Sequence, residues 1–237
     1  MLSNQHTKII IFGAARSAST FCFHSLVKGK ISSDNRFDND FNLLRSGGEP
    51  FRLNEKENLQ TFNNWPSDNW IAKLHLLDLL NLQDIDLAHK FIQRANYKLL
   101  LLRRNLLQAT LSMCISVYKN QWVNDLDTRE VSIPKQLFID MLHQQWRTVL
   151  HLIGRNDWNI EYDRIMYTED IPNDPNTLYE IATGELPNNI VNEIEMSPNK
   201  NNIIINIEEC KTWYHQHTAD LETCKRILLE GEAWQIV

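Results

Sequence analysis

No apolar stretch of this sequence reaches membrane-spanning length. The nearest, Tyr97–Leu102, is stopped by Arg103-Arg104. Cysteine is sparse: Cys22, Cys114, Cys210 and Cys224 form no C-x-x-C pair and no His/Cys cluster with zinc-ligand spacing. The expectation is therefore buried, reduced thiols in a cytosolic protein, with no metal site. A broad basic face is also missing. The formal net charge is -6 at pH 7, which argues against a general nucleic-acid or membrane-surface role. The opening MLSNQHTKIIIFG has too short an apolar run for a signal peptide and no small-residue cleavage site after it. These absences together point to a soluble, cytoplasmic protein. No repeat, low-complexity block or linker divides the chain. Its 237 residues, 43% of them hydrophobic, are enough for one sizeable core, and a single domain over residues 1–237 is expected.

What is present reads as alternating strands and helices. Lys8–Gly13 (KIIIFG) is a short run rich in β-branched residues and ends in Gly, the pattern of a buried strand. Ala18–Lys28 follows with helical spacing of Phe21, Leu26 and Val27. Ile31–Pro50 is polar and carries Gly47-Gly48, so it reads as a long loop. Further strands are expected at Trp70–Leu74, Tyr97–Leu102 and Trp158–Tyr162. Helices are expected at Leu76–Leu82, Ile85–Ala95, Leu106–Trp122, Asp174–Ala182 and Ile207–Leu229. Another should begin at Ser132-Ile133-Pro134, with Ser at the cap and Pro in the first turn, and run to about Ile153. This alternation implies an α/β fold with a central parallel sheet flanked by helices.

The junction between the first strand and first helix is Gly13-Ala14-Ala15-Arg16-Ser17-Ala18-Ser19-Thr20. Such a junction suits an anion: the first N–H groups of a helix lack intrahelical partners, and small residues allow close approach. The spacing mimics a P-loop, with Ala18 at the second Gly, Ser19 at the Lys and Thr20 at the last position. The hydrolase lysine is missing, and Arg16 inside the loop carries the positive charge instead. The loop resembles the 5′-phosphosulfate loop of sulfotransferases that use 3′-phosphoadenosine 5′-phosphosulfate (PAPS), written P-R-S-G-S-T or P-K-S-G-T-T. Arg16, Ser17, Ser19 and Thr20 match position by position, while Ala18 replaces Gly.

A second motif follows the strand Tyr97–Leu102. Arg104 stands at the strand end, and Ser112 lies eight residues on, two turns into the next helix. A ligand at the carboxyl ends of the strands would meet both, and the forked arginine donors suit phosphate. In sulfotransferases the 3′-phosphate of PAPS is held by an Arg and a Ser at this spacing. The run from Arg103 through Gln108-Ala109 to Ser112, with Trp122 ten residues beyond, looks most like the bacterial trehalose sulfotransferase branch.

Two candidates compete for the role of general base. Lys73-Leu74-His75 resembles the K-T-H of cytosolic sulfotransferases, in which Lys contacts the transferring sulfuryl group and His takes the acceptor proton. The rival is Gly48-Glu49-Pro50-Phe51-Arg52, which resembles a G-E-P-x-E stretch whose second Glu is the base. Arg52 stands at that position here, which favours His75 and leaves Glu49 as the other base or as an acceptor contact. Tyr167-Thr168-Glu169-Asp170-Ile171 looks like the family's Y-E-D-L element, which is mainly structural. Lys200 matches a late basic loop that closes over the cofactor.

The resemblance is specific in residues 8–28 and 97–122, extends to 70–75, and is topological elsewhere. It implies a P-loop-NTPase-like three-layer fold and transfer of a sulfuryl group from PAPS to a hydroxyl or amine of a sugar or other small acceptor. Ala15, Arg16, Ser17, Ala18, Ser19, Thr20, Arg104, Ser112 and Lys200 would bind PAPS. His75, Lys73, Glu49 and Arg16 would act at the reacting group. No metal, nucleic acid or membrane partner is implied, and a homodimer is compatible with the reading. The alternatives are a P-loop-type kinase or nucleotide-binding protein, and a catalytically inactive relative that binds PAPS.

Overall fold

The protein was analysed as a computed structural model that describes residues 8–14, 16–31, 70–75, 85–119, 129–151, 159–172, 174–184, 186 and 201–217. Elements are numbered here in chain order among those residues. Strands are β1 (Lys8–Gly13), β2 (Trp70–His75), β3 (Tyr97–Leu102) and β4 (Arg164–Tyr167). Helices are α1 (Ser19–Ile31), α2 (Ile85–Gln93), α3 (Leu106–Tyr118), α4 (Lys135–Val149), α5 (Pro175–Thr183) and α6 (Ile207–Gln216). The class is α/β. The elements group into two compact units: β1, α1, β2, α2, β3 as far as Leu101, β4 and α5 in one, and α3, α4 and α6 in the other. The loop residues Ala14–Ser17 group with the second unit.

The first unit is built on a four-stranded sheet in the order β2-β1-β3-β4. β1 pairs in parallel with both neighbours, placing Ile11 beside Lys73 and Leu99, and Gly13 beside His75 and Leu101. Ile9, Ile10, Ile11 and Phe12 are all fully buried, as are Leu99–Leu102. Both faces of these strands are thus covered, and this is why they read as unbroken apolar runs rather than as alternating ones. Alternation still sorts the faces. Ile9, Ile11, Ile71, Leu99 and Leu101 form one core cluster with Phe21, Phe23 and Leu26 of α1 and Leu178, Tyr179 and Ala182 of α5. On β1, Phe12 meets Tyr162 edge to face, ring centroids 5.6 Å apart.

The expected strand at 158–162 does not form among its described residues; β4 begins at Arg164 instead. Asn159 sits at φ 47, a left-handed conformation that interrupts an extended run. Asp163 ties the chain to β3: its N–H donates to Lys98 O at 2.9 Å and its Oδ2 accepts from Lys98 N at 2.7 Å. Tyr167-Thr168-Glu169-Asp170-Ile171 is, as the motif suggests, a strand end passing into a short 3-10 turn, Thr168–Asp170.

In the second unit α3 is capped by Asn105, whose Oδ1 accepts from Gln108 N at 2.9 Å. The start of α4 differs from the sequence expectation. Its N-cap is Pro134, with extended backbone and no side-chain cap bond, so Ser132 does not cap the helix. The reason lies at the neighbouring residue. Asn206 Oδ1 accepts from Ile133 N, and Asn206 Nδ2 donates to Ile133 O, both at 2.9 Å. Val131 forms a parallel bridge with Ile204. Residues 131–133 are therefore held in extended pairing, and the helix cannot begin until they are past. α3 ends at Tyr118 with Lys119 as its C-cap, and α6 ends at Gln216 with His217 as its C-cap. The expected helix at Leu76–Leu82 and the loop over residues 32–50 lie outside the described residues.

Cys22, Cys114 and Cys210 are free and buried, as the sequence led us to expect; Cys224 lies outside the described residues. Burial pushes the Cys114 thiol up to about 12 and the Cys210 thiol up to about 11. Among the described residues no helix is long and apolar enough to cross a membrane.

Candidate functional site

The loop between β1 and α1 departs from ordinary backbone at two residues. Arg16 has φ 68 and Ala18 has φ 58, which leaves Ser17 between two left-handed residues, neither of them Gly. Alternation of hand is how a chain curls successive N–H groups around an anion. Ser17 closes the loop internally: its N–H and its Oγ both reach Ala14 O, at 3.3 and 2.7 Å, and its side chain is fully buried. Ser17 therefore shapes the loop through its hydroxyl. Ala18 O accepts the first helical bond of α1, from Cys22 N at 3.0 Å. No acidic residue occupies the first turn of α1, although carboxylates are favoured there, so the positive end of the helix dipole meets no carboxylate from its own first turn.

Within the first unit, the strand alternation that aims Ile71 at α1 also aims Lys73. The residue is only 5% exposed. Nζ donates to Thr20 Oγ1 at 3.0 Å, at the first turn of α1. An ammonium held this deep needs polar partners, because desolvation of a lone charge costs several kcal/mol. Thr20 itself is exposed. His75 ends β2 beside Gly13, and its side chain lies outside what the structure describes.

Within the second unit, Arg16 Nε donates to Ser112 Oγ at 2.9 Å. Burial lowers the pKa of Arg16 from its ordinary value. By sequence, Arg16 is expected at the 5′ end of a nucleotide and Ser112 at the 3′ end; in the folded chain the two touch. Arg104 is half-buried just beyond β3 and its carbonyl accepts from Leu106 N at 3.0 Å. Its neighbour Arg103, to which no role was given, reaches the loop: Nη1 donates to Arg16 O at 3.3 Å. The sequence shows two consecutive arginines just past the end of β3, and nothing local in them distinguishes the one that reaches the loop.

Ala15, Glu49, Arg52 and Lys200 lie outside the described residues. Among the described residues no group of three His, Cys, Asp or Glu side chains gathers as a metal site. No protein-family model matches the chain, and no curated protein matches it.

The left-handed backbone at Ala18 yields a test. An L-residue with a Cβ pays about 1–2 kcal/mol for this conformation. Part of that is returned because Gly would loosen the unfolded chain. Ala18→Gly is expected to raise stability by about 0.5–1 kcal/mol in urea denaturation. A loss of stability would show that the loop does not hold Ala18 in this conformation.

Proposed function

We propose that this chain transfers a sulfuryl group from PAPS to a hydroxyl or amine of a carbohydrate or other small acceptor, and that its fold is P-loop-like with three layers. The observation that carries the reading is the loop of residues 13–20. It has left-handed backbone at Arg16 and Ala18, opens α1 without a carboxylate in the first turn, and presents Thr20 to the buried ammonium of Lys73. These features suit a phosphosulfate, which needs N–H donors and nearby cations in a small-residue cradle. A kinase or nucleotide hydrolase would carry a lysine where Ser19 stands. Here Arg16 inside the loop carries the positive charge instead, and Lys73 reaches Thr20 from the neighbouring strand.

PAPS supplies an activated sulfur–oxygen bond, with 3′-phosphoadenosine 5′-phosphate (PAP) as the leaving group. Lys73 offsets negative charge on the transferring group, and its fixed position means little reorganisation during reaction. Arg16 and the loop N–H groups hold the 5′ end. Arg104 and Ser112 read the 3′-phosphate. His75 takes the proton from the acceptor, and Glu49 is the competitor for that task. The work of these residues suits a cytoplasmic enzyme acting on small molecules. Arg52, at the position where the nearest family branch has its base, favours a second reading: a chain that binds PAPS without turning it over.

Calorimetric titration separates these ideas. PAP is expected to bind far more tightly than AMP or ATP, because only PAP carries the 3′-phosphate. Arg104→Ala should weaken PAP by about 1.5–3 kcal/mol, the worth of a charge-assisted hydrogen bond, and leave AMP unchanged. Equal affinity of the native chain for PAP and AMP would contradict the role given to Arg104 and Ser112.

The base is tested by single-turnover transfer from PAPS to a panel of sugars and phenols. His75→Ala should abolish transfer while PAP affinity stays close to native, because a base touches the acceptor and not the nucleotide. A near-normal rate in His75→Ala would move the role to Glu49. Absence of transfer by the native chain, with tight PAP binding, would support the inactive reading.

A further inference from the structure

Arg103 offers more than charge. The peptide unit joining Arg16 to Ser17 is held at both of its polar ends. Its N–H, on Ser17, reaches Ala14 O at 3.3 Å, and its C=O, on Arg16, accepts from Arg103 Nη1 at 3.3 Å. This peptide follows directly on the left-handed Arg16, at φ 68, whose side chain in turn donates to Ser112 Oγ at 2.9 Å. An L-residue keeps such a backbone only where its surroundings over-determine it. Ala14 O accounts for one end of the plane, and the other end requires a donor from outside the loop. A guanidinium suits that place because it is permanently charged and planar, and its bond to a carbonyl is charge-assisted.

We propose that Arg103 is the positioning residue of the anion loop: it fixes the Arg16–Ser17 peptide plane, and with it the aim of the Arg16 side chain, without touching the nucleotide. This inference rests on the reading of the loop as the site of a nucleotide's 5′ phosphate or phosphosulfate. It separates two adjacent arginines by task. Arg104 reads the 3′-phosphate, and Arg103 sets the loop that serves the 5′ end. A nucleotide with or without the 3′-phosphate then depends on Arg103 equally.

The test is calorimetric titration of the full chain with PAP and with AMP, for native protein, Arg103→Met, Arg103→Lys and Arg104→Ala. Arg103→Met keeps the length of the side chain and removes every donor. It should weaken PAP and AMP by the same factor, about tenfold, as loss of one charge-assisted hydrogen bond implies. Arg103→Lys, which restores a charged donor, should return both to within about threefold of native, a few tenths of a decade in affinity. The ratio of the two affinities should stay native in both variants and fall only in Arg104→Ala. Partial reversible unfolding would also weaken both ligands by a common factor, so urea denaturation must first show each variant almost wholly folded at the titration temperature, where that factor is close to one. Should Arg103→Met fail to fold, Arg103→Leu, which also carries no donor, takes its place, with the same common-factor loss expected. Unchanged affinities overturn the inference. A loss confined to PAP also overturns it, by making Arg103 a 3′-phosphate ligand. A native chain that binds neither nucleotide overturns the reading of the loop, and this inference with it.

Discussion

Between the end of β1 and the start of α1 the chain adopts left-handed backbone twice, at Arg16 and at Ala18, without a glycine at either place. Everything assigned to the site depends on that constraint. Such a backbone is unfavourable for residues bearing a Cβ, so it must be held from outside. The holds are visible: Ser17 bonded twice to Ala14 O, Arg103 bonded to Arg16 O, and the first helical bond of α1 taken by Ala18 O. In exchange the loop presents a helix start made of small and hydroxyl side chains. Strain at a loop of this kind is characteristic of places where a protein binds something rather than merely turns.

Charge follows the same economy. The chain is acidic overall, with 24 Lys and Arg against 30 Asp and Glu. Lys73 is buried against Thr20 by the same strand alternation that sends Ile71 into the core. Arg16 is turned onto Ser112 on α3. Each of the two side chains donates to a hydroxyl, Lys73 to Thr20 Oγ1 and Arg16 to Ser112 Oγ.

Much of the fold was legible because its signal is local. Lys8–Gly13 and Tyr97–Leu102 coincide with strands β1 and β3, since their centres, Ile9–Phe12 and Leu99–Leu102, are buried apolar runs. Asp174 was read as the start of a helix, and it caps α5 at the next residue. The failures were tertiary. Pro134 rather than Ser132 precedes α4, because the amide of Asn206, seventy-three positions away in sequence, claims both backbone groups of Ile133. β4 starts later than expected because Asp163 makes the bonds to Lys98 and Asn159 is left-handed. Sequence singled out Arg16, Thr20 and Ser112 by type and spacing and Lys73 by resemblance, but not that Arg16 would meet Ser112 or that Lys73 would meet Thr20. Nothing local in Arg103-Arg104 says which arginine reaches back to the loop; that depends on where residues 14–17 come to rest.

The central claim is that residues 16–20 cradle the 5′ anion of an adenine nucleotide. Backbone amide resonances followed during titration with PAP in magnesium-free buffer address it directly. The account predicts the largest shifts at the N–H groups of Arg16–Thr20, with smaller ones near Ser112. Saturable binding that leaves the loop amides unmoved, or no binding at all, would contradict it.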